Sequence, residues 1–522
     1  MTRTVFPKRE KGAHSERFAS SLFIVVPLAA SAITTFVRSR LINLCFLLGV
    51  PLATVVAAVY LIFATGDGHT IAHSVGGYVH GLAIPFVADT FTAVMLVITS
   101  LAVFASCAFL RATGEDQYRF VPTLILLMLT GVNGAMLTGD LFNFFVFIEV
   151  MVLPSYALIA VTGTWRRLGV GRMFVIVNLL TSTLLVIGVG FIYAATGTVN
   201  IAVLADQTRF GDVPPQAALA VGIVVLSLLI KAGAAPVHGW LVRSYPNTSG
   251  GMMSLFAATH SKVAIYGIYR VYVSVFGGHP RWEDVLLIIV VLTIAVGAFS
   301  GFGEIRVRNI FAFQMTAGVG HILIGVAVLT TAAVSAGIFY MVHHIVTMSG
   351  LLLTIGAIEQ TYGTGAFKKL SGLIRRERVA SVLMIIGLFS LIGLPPTSGL
   401  WGKMGLVRAL MENVTPATIV MVITVIVASI GSLLALQRLW KNTFWGDDMT
   451  QYHPDSPATG RAPATDLSDD VRVRWTLLVP GAFMIAISVA MFVGGQAIMP
   501  IIQEAANALL HVDPYVEAVL GQ

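Results

Sequence analysis

The chain carries very little charge. Of its 522 residues, 32 are Lys or Arg and 25 are Asp or Glu, so only 11% are charged, whereas a soluble domain carries roughly 25%. No long polar stretch separates the apolar segments, which excludes the about three or four soluble domains that this length would otherwise suggest. Hydrophobic residues make up 57% of the chain, and the mean hydropathy is +0.87. This composition indicates a membrane protein built as one helical bundle.

Cysteine is also scarce, and the usual cofactor motifs are missing. Cys45 and Cys107 both lie in apolar runs without a CxxC or Cys/His partner, which excludes a disulfide, a zinc site or an iron–sulfur cluster. We find no Walker motif, no GxGxxG after a strand and no haem signature, and therefore expect no cofactor. The net charge of +7 comes from scattered basic residues that form no patch, so it does not indicate nucleic-acid binding. Any transport must be driven by an ion gradient or by partner subunits.

Apolar runs of about 20 residues predict membrane-spanning helices. The chain contains about fourteen such runs, some of them interrupted. The basic N-terminus followed by Ala29–Ala32 also fits a signal peptide, but the next run begins at once at Leu41, which favours an uncleaved first helix. The predicted helices span 22–37, 41–64, 84–109, 118–138, 141–162, 172–196, 216–238, 249–276, 284–302, 309–330, 334–358, 379–411, 416–440 and 475–497.

The basic residues of the loops test this helix count. If each loop is numbered by the helix that it follows, twenty Lys and Arg residues lie in odd-numbered loops and only Arg209 and Arg281 lie in even-numbered ones. Because cytoplasmic loops are enriched in basic residues, we predict cytoplasmic odd-numbered loops and both termini outside, in a multi-pass cell (inner) membrane protein. The basic N-terminal tail favours the opposite orientation, but the internal loops hold many more basic residues, and we base the prediction on them. The Pro- and Asp-rich stretch 442–474 is predicted to be a cytoplasmic polar loop.

Ionisable residues inside predicted spans are the strongest functional signals, because burying a charge in the membrane is costly. Glu149 lies in the middle of helix 5 and Lys231 lies in helix 7. A static ion pair that fixes helix packing is one interpretation, but such a pair often stabilises less than apolar residues would. We therefore favour a functional pair, and expect the two groups to lie within hydrogen-bond reach, directly or through one water.

Two predicted helices are interrupted. KAGAAP at Lys231–Pro236 and GLPP at Gly393–Pro396 place proline within spans, which breaks a helix and frees backbone carbonyls. Lys403 follows the second break, and broken helices often mark ion sites at mid-membrane. The two breaks lie five helices apart and suggest two repeats. The resulting division is 1–117, the N-terminal tail and helices 1–3; 118–276, the first repeat with helices 4–8; 284–440, the second repeat with helices 9–13; 442–474, the polar loop; and 475–522, helix 14 and the C-terminal tail.

Further polar residues lie between or beside these groups. Lys262 in helix 8 is too central to reach an interface, whereas Arg270 and Arg408 can extend to one; Asp89 and Asp140 start helices and are predicted to cap them. Histidines titrate near neutrality and relay protons, although a lone buried histidine is more often a core residue. The histidine candidates are the adjacent pair His343 and His344 in helix 11, His321 in helix 10, His260 beside Lys262, and His238, which is predicted to line a cytoplasmic access path.

Four motifs resemble a known family. TGDLFNFFVFIEV, KAGAAPVHGWL, HSKVAIYGIYR and GLPPTSGLWGK resemble the antiporter-like subunits shared by respiratory complex I and Mrp-type multisubunit Na+/H+ antiporters. The resemblance covers nearly the whole chain, and LQRLWKNTFWG with DPYVEAVLG is most similar to the D subunit of the Mrp group. It implies an all-α membrane fold of fourteen helices with two inverted five-helix repeats and broken helices 7 and 12.

The resemblance also implies roles for single residues. The family's glutamate of helix 5 matches Glu149, and its lysines of helices 7, 8 and 12 match Lys231, Lys262 and Lys403. Relatives often have a lysine shortly after the helix-11 histidine, where this chain has Met348. This departure shifts the expected proton step to His343 and His344.

The leading hypothesis is a proton-translocating, non-enzymatic subunit of a multisubunit Na+ or K+/H+ antiporter, assembled with other membrane subunits in the lipid bilayer. Opening of the Glu149–Lys231 pair would leave Lys231 desolvated, so that its proton passes on toward Lys262, the histidines and Lys403. The alternatives are a proton-pumping subunit of respiratory complex I and an inactive scaffold. The sequence shows no carboxylate cluster for a metal ion, and it does not determine which cation is exchanged or where it binds.

Overall fold

The protein is a bundle of helices, seen in a computed structural model that describes residues 10–79, 81, 83–161, 165–211, 214–452 and 465–521. The helices of the first half are α1 Glu10–Phe36, α2 Arg40–Ala64, α3 Thr90–Thr113, α4 Val121–Leu137, α5 Leu141–Ala160, α6 Trp165–Thr196, α7 Ile201–Arg209, α8 Pro215–Ala232, α9 Gly239–Ser244 and α10 Gly250–Ile268. The helices of the second half are α11 Pro280–Ser300, α12 Val307–Val328, α13 Thr331–Tyr362, α14 Leu373–Arg376, α15 Arg378–Ile392, α16 Ser398–Glu412, α17 Pro416–Thr443, α18 Trp475–Val493, α19 Gly495–Leu510 and α20 Asp513–Leu520.

The predicted all-α membrane fold is confirmed. Among the described residues, 10 helices are long and apolar enough to cross a membrane, and three shorter apolar helices accompany them. Every one of the predicted spans contains a helix or a broken pair of helices. Three of the predicted spans correspond to the shorter apolar helices, so the exact count of fourteen and the inverted repeats stay predictions.

Helix α13 is the centre of the bundle. Its most apolar 18-residue window is 100% buried, and it contacts α3, α10, α12, α15, α16, α18 and α19. By contrast, only 33% of the corresponding window of α2 is buried, and its outer side chains, such as Leu41 and Phe63, are exposed and apolar. An apolar outer surface is the expected partner of lipid. His343 and His344 on α13 are therefore buried at the centre of the bundle.

Both predicted helix breaks are present. Predicted helix 7 breaks after α8, and α9 begins at Gly239, just beyond its predicted end at residue 238; predicted helix 12 consists of α15 and α16. Gly233 and Gly393 follow the first half of each with φ of 84° and 95°, a left-handed conformation that glycine adopts without steric cost. Each break leaves carbonyls at the end of its first half without an intrahelical partner.

Several elements were not predicted. Strands β1 Ile71–Ser74 and β2 Pro85–Ala88 form an antiparallel hairpin with Ile71 opposite Ala88 and Ser74 opposite Pro85. The predicted start of helix 3 at residue 84 was therefore wrong: α3 begins at Thr90, because the Asp89 side chain caps it by accepting from the Thr92 N–H. Helix α10 continues as a π-helix over Tyr269–Val275. In the polar loop, β3 Gln451–Tyr452 pairs with β4 Thr465–Asp466; residues 453–464 lie outside the described residues.

Several loops gather at the two ends of the bundle. At one end, Ser249 donates to Glu115 at 2.7 Å, and Arg308 donates to the Thr248 carbonyl and pairs with Glu359 at 2.6 Å, which joins the regions of loops 3, 7, 9 and 11. At the other end, α20 contacts both α7 and β1, and α1 contacts β1. Among the described residues, α20 and part of α1 thus lie at the end that holds even-numbered loops 2 and 6. The assignment of this end to the outside stays a prediction.

Candidate functional site

Glu149 and Lys231 are brought together, but a serine stands between them. Glu149 on α5 is half-buried and Lys231 on α8 is buried. The Ser182 hydroxyl of α6 donates to Glu149 Oε1, and Lys231 Nζ donates to Ser182 Oγ at 2.9 Å. A hydroxyl accepts and donates at the same time, so it couples the ammonium to the carboxylate. This link differs from the predicted direct or water-mediated pair, and Ser182 was missed because serine inside a helix carries no sequence signal.

The second lysine lies deeper. Lys262 on α10 is fully buried, and its Nζ has no hydrogen-bond partner among the residues that the structure describes. His260, half a turn earlier, bonds instead to Ser155 Oγ of α5 through Nε2 at 2.7 Å. Lys231 lies near His260, and Lys262 lies near His344. Lys262 is therefore a buried lysine whose titratable neighbours are histidines rather than carboxylates.

The ammonium of Lys403 on α16 contacts the backbone at the second helix break. Its Nζ donates to the Ile392 carbonyl at 2.9 Å and to Ser429 Oγ of α17 at 2.8 Å. Ile392 is the last residue of α15, so the lysine satisfies a carbonyl that the break leaves free. The glycine at 393 is required here, because a Cβ would approach Lys403 Cδ to 2.9 Å.

The three central histidines gather around one tyrosine ring. His321 of α12 stacks on Tyr340 with 4.9 Å between ring centroids, and His343 and His344 lie 5.2 and 6.4 Å from the same ring. Lys403 interacts electrostatically with His321 and His343. His321 Nδ1 bonds to the Ala317 carbonyl at 2.7 Å, whereas the His344 ring lies against Gly318, which also belongs to α12. The predicted histidine pair thus stands between Lys262 and Lys403.

Four hydroxyls that were not predicted surround His343. Its Nδ1 contacts Ser398 Oγ at 2.8 Å and Thr347 Oγ1 at 3.3 Å. Ser390 and Ser488 complete the group, and all four hydroxyl residues are buried. The corresponding sequence signal was weak, because hydroxyl residues are common in spans and bond to their own helix.

His238 lines a polar cavity of about 1140 Å³ at the end of the bundle that holds the odd-numbered loops. The cavity walls include Arg243, Glu304 and Arg306. His238 is half-buried, and its Nδ1 has no side-chain partner in the described part of the chain. His238 therefore lies on this cavity, and its role in an access path stays a prediction.

One predicted position was wrong. Arg270 does not extend to an interface: it is buried and forms a bidentate pair with Asp89, at 2.7 and 2.9 Å. It also donates to Thr92 and Tyr266, each at 3.1 Å. Asp89 and Asp140 do cap α3 and α5 as predicted, and Arg408 is exposed. Sequence analysis missed the pair because its members lie 181 residues apart.

The sequence of this chain matches a known protein family. The family model described as "NADH:quinone oxidoreductase/Mrp antiporter, TM" matches residues 138–430, more than half of the chain. The chain belongs to this family. The matched range includes Glu149, Lys231, Lys262 and Lys403, together with His343. Within the family, the chain is similar to the D subunits of Na+/H+ antiporters, which confirms the resemblance found in its motifs.

Three relatives illustrate this. The D subunit of the Na(+)/H(+) antiporter of Bacillus subtilis (strain 168) is 31% identical over 455 residues, which cover 86% of this chain and 88% of the relative. A chain in the structure of the Mrp complex from Dietzia sp. DQ12-45-1b is 36% identical with a TM-score of 0.91, covering 97% of this chain and 100% of that one. A chain of respiratory complex I from Thermus thermophilus has a TM-score of 0.77 at 20% identity, with coverage of 94% and 99%; at that identity it shows the fold alone.

Proposed function

We propose that this chain is a proton-translocating membrane subunit of a multisubunit Na+ or K+/H+ antiporter, which passes protons along a series of lysine, glutamate and histidine side chains at mid-membrane. The antiporter relative of Bacillus subtilis and the match to the Mrp complex of Dietzia support the antiporter class and the need for partner subunits. In this proposal the chain acts as a transporter and not as an enzyme.

The observation that carries the proposal is that three buried lysines make no direct contact with a carboxylate of the described residues. Lys231, Lys262 and Lys403 are 4%, 0% and 9% exposed, and no carboxylate oxygen of the described residues lies within the 4.0 Å ion-pair distance of their ammonium groups. A permanently charged ammonium in such a place costs several kcal/mol. A lysine that gains and loses its proton avoids part of this cost, so the arrangement suits proton exchange better than static packing.

The partners of each lysine suggest an order of steps. Lys231 communicates with Glu149 through Ser182, so a change of charge at Glu149 alters how well the ammonium is stabilised. Within the described residues, the Lys262 ammonium lacks a hydrogen-bond partner, and an unpaired buried polar group favours solvent access at this point. The His343 ring lies against Gly402 of α16, the residue before Lys403, so His343 is proposed as the step before Lys403. These contacts support the proposed order of steps.

The surroundings complete the proposed role. The chain would lie in the cell (inner) membrane with odd-numbered loops in the cytoplasm, and the cavity at His238 would admit protons from that side. Nothing among the described residues gathers three His, Cys, Asp or Glu side chains that could hold a metal ion. The exchanged cation is therefore proposed to bind a partner subunit.

The test replaces Lys403 in the assembled complex and measures Na+- and K+-driven proton movement in membrane vesicles. We expect Lys403→Ala to abolish antiport with the complex intact, because the last buried lysine of the series is lost. Lys403→Arg should rescue poorly, since arginine keeps its charge and cannot release a proton. Arg408→Ala on the same helix is the matched control, because Arg408 is exposed.

Other outcomes point to the alternatives. Loss of assembly in Lys403→Ala would support a structural role, and wild-type transport in Lys403→Arg would make Lys403 a fixed charge. An inactive scaffold predicts that apolar replacements of Glu149 and Lys231 leave transport of the complex unchanged. A complex I subunit predicts that flavin and iron–sulfur clusters co-purify with the chain.

A further inference from the structure

Four hydroxyls form a hydrogen-bonded series that starts and ends at His343. From Nδ1 it runs to Ser398 Oγ at 2.8 Å, on to Ser488 Oγ at 2.8 Å, to Ser390 Oγ at 2.9 Å and to Thr347 Oγ1 at 2.9 Å. Thr347 Oγ1 then returns to Nδ1 at 3.3 Å and also lies 3.5 Å from Ser488 Oγ. All five residues are fully buried.

The series is built from separate elements that converge on α13. Thr347 lies one turn after His343, Ser390 lies near the end of α15, and Ser398 begins α16 beyond the break. Ser488 comes from α18, which lies outside both proposed repeats. Gly399 permits the close approach of α15 and α16, because a Cβ there would clash with the Ser390 carbonyl oxygen. The helix break thus brings two serines of one predicted helix into the same hydrogen-bonded series, with Ser398 in contact with the imidazole.

Counting protons shows that the series works in either direction. If Nδ1 carries no proton, Ser398 donates to it, Ser488 to Ser398, Ser390 to Ser488, and Thr347 to Ser390. If Nδ1 is protonated, every donation reverses, and Thr347 can donate to Ser488 across the 3.5 Å contact. Each direction uses the same four contacts of 2.8–2.9 Å. Hydroxyls permit this reversal because each is both a donor and an acceptor.

His321 shows the contrasting arrangement. Its Nδ1 bonds to the Ala317 carbonyl at 2.7 Å, and a carbonyl can only accept. Nδ1 of His321 must therefore hold a proton, while Nδ1 of His343 is free to gain or lose one. The other titratable groups near His343 are Tyr340 and His344 on α13, His321 on α12 and Lys403 on α16; within the described residues none of them bonds to Nδ1.

We propose that Thr347, Ser390, Ser398 and Ser488 are positioning residues that stabilise buried His343 in both protonation states by reversing the direction of their hydrogen bonds. The inference rests on the proposed proton series, because it explains how a histidine inside that series can gain or lose the proton on Nδ1 while Nδ1 and the four hydroxyls keep their hydrogen bonds. Ser488 is the decisive member, since it joins Ser398 to Ser390.

The direct test is nitrogen-15 NMR of histidine-labelled complex over a range of pH, with the His343 signal identified by its loss in His343→Gln. Without Ser488, a proton on Nδ1 leaves the Ser398 hydroxyl with no acceptor. We therefore expect Ser488→Ala to lower the ratio of protonated to unprotonated Nδ1 by about tenfold. Ser488→Thr should restore the ratio. A wild-type Nδ1 that never carries a proton, or a ratio unchanged in Ser488→Ala, would overturn the proposal.

Transport gives the second readout. Antiport by intact Ser488→Ala complex should fall about tenfold, and Ser488→Thr should recover it. The matched control is Ser349→Ala, a fully buried serine on α13 whose hydroxyl has no partner in the described structure; it should change neither readout. Wild-type antiport in Ser488→Ala would refute the inference. Wild-type antiport in His343→Ala would instead refute the proposed series at this residue, and the NMR ratio would still decide the role of the hydroxyls.

Discussion

Removing the Ser182 hydroxyl is the sharpest test of the coupling between Glu149 and Lys231. The hydroxyl donates to Glu149 and accepts from Lys231 at 2.9 Å. A hydrogen bond to a charged group is worth about 1.5–3 kcal/mol. If proton exchange between the two groups needs this link in its transition state, loss of one such bond slows transport about 10- to 150-fold. Ser182→Ala should therefore retain only a small part of the antiport activity.

The assay compares variants in vesicles that contain equal amounts of assembled complex. Ser182→Thr keeps a hydroxyl and should recover much of the rate. Ser227→Ala is the matched control, because Ser227 of α8 donates to the Thr181 carbonyl of α6 at 2.6 Å. It removes a buried hydroxyl between the same two helices without touching Glu149 or Lys231, so transport should stay within about twofold of wild type.

Two results would refute this reasoning. Wild-type transport in Ser182→Ala, combined with no transport in Lys231→Ala, would mean that the lysine works without the serine. An equal loss in Ser182→Ala and Ser227→Ala would mean that the contact between α6 and α8 matters, rather than the link to the carboxylate.

Two further variants test the buried surroundings of the series. Asp89→Asn should lower the midpoint of thermal unfolding of the complex, because breaking a buried ion pair costs about 3–5 kcal/mol. Adding Arg270→Met should recover part of this loss. An unchanged midpoint in Asp89→Asn would contradict the structural role of the pair. Gly318→Ala should reduce antiport in assembled complex, since its Cβ would clash with His344 Nε2 and displace the ring. The control is Gly405→Ala, whose Cβ would lie 3.6 Å from its nearest neighbour and which should transport normally. Normal transport in Gly318→Ala would mean that His344 has no role.

The features predicted correctly are those that are exceptional inside a membrane. A lysine in an apolar run, such as Lys262, and a Gly-Pro interruption, such as Gly393–Pro396, are costly enough to stand out without an alignment. Helix positions followed from the lengths of the apolar runs for the same reason. These signals located the central groups and both breaks.

The missed features depend on how helices face one another. A hydroxyl residue in a span normally bonds to its own helix, as Thr130 does to the Leu126 carbonyl, so sequence alone cannot distinguish it from a serine such as Ser182 that bonds across helices. The Asp89–Arg270 pair was missed because each residue had a simpler local interpretation, one as a cap and one as an interfacial arginine. Partner choice is set by helix rotation and packing, which no local pattern encodes.

The two helix breaks show how similar backbones support different chemistry. In the first, the Ile230 carbonyl accepts from Trp240 Nε1 at 2.9 Å, which leaves the Lys231 ammonium free to face Ser182 and Glu149. In the second, the Ile392 carbonyl accepts from Lys403 itself at 2.9 Å. The first lysine is therefore linked to a carboxylate, and the second is held by a backbone dipole and the hydroxyl of Ser429.

Because of this difference, we expect the two halves of the proposed series to have different roles. A change of charge at Glu149 reaches Lys231 through a single hydroxyl, so energy supplied by a partner subunit can enter at this point. Lys403 has no such partner among the described residues, and the titratable side chains near it are those of His321 and His343. We infer that the first half receives the driving signal and the second half responds to it through the histidines of α13. On this reasoning, Lys231 variants should lose the response of transport to the driving cation, whereas Lys403 variants should lose the release of the proton.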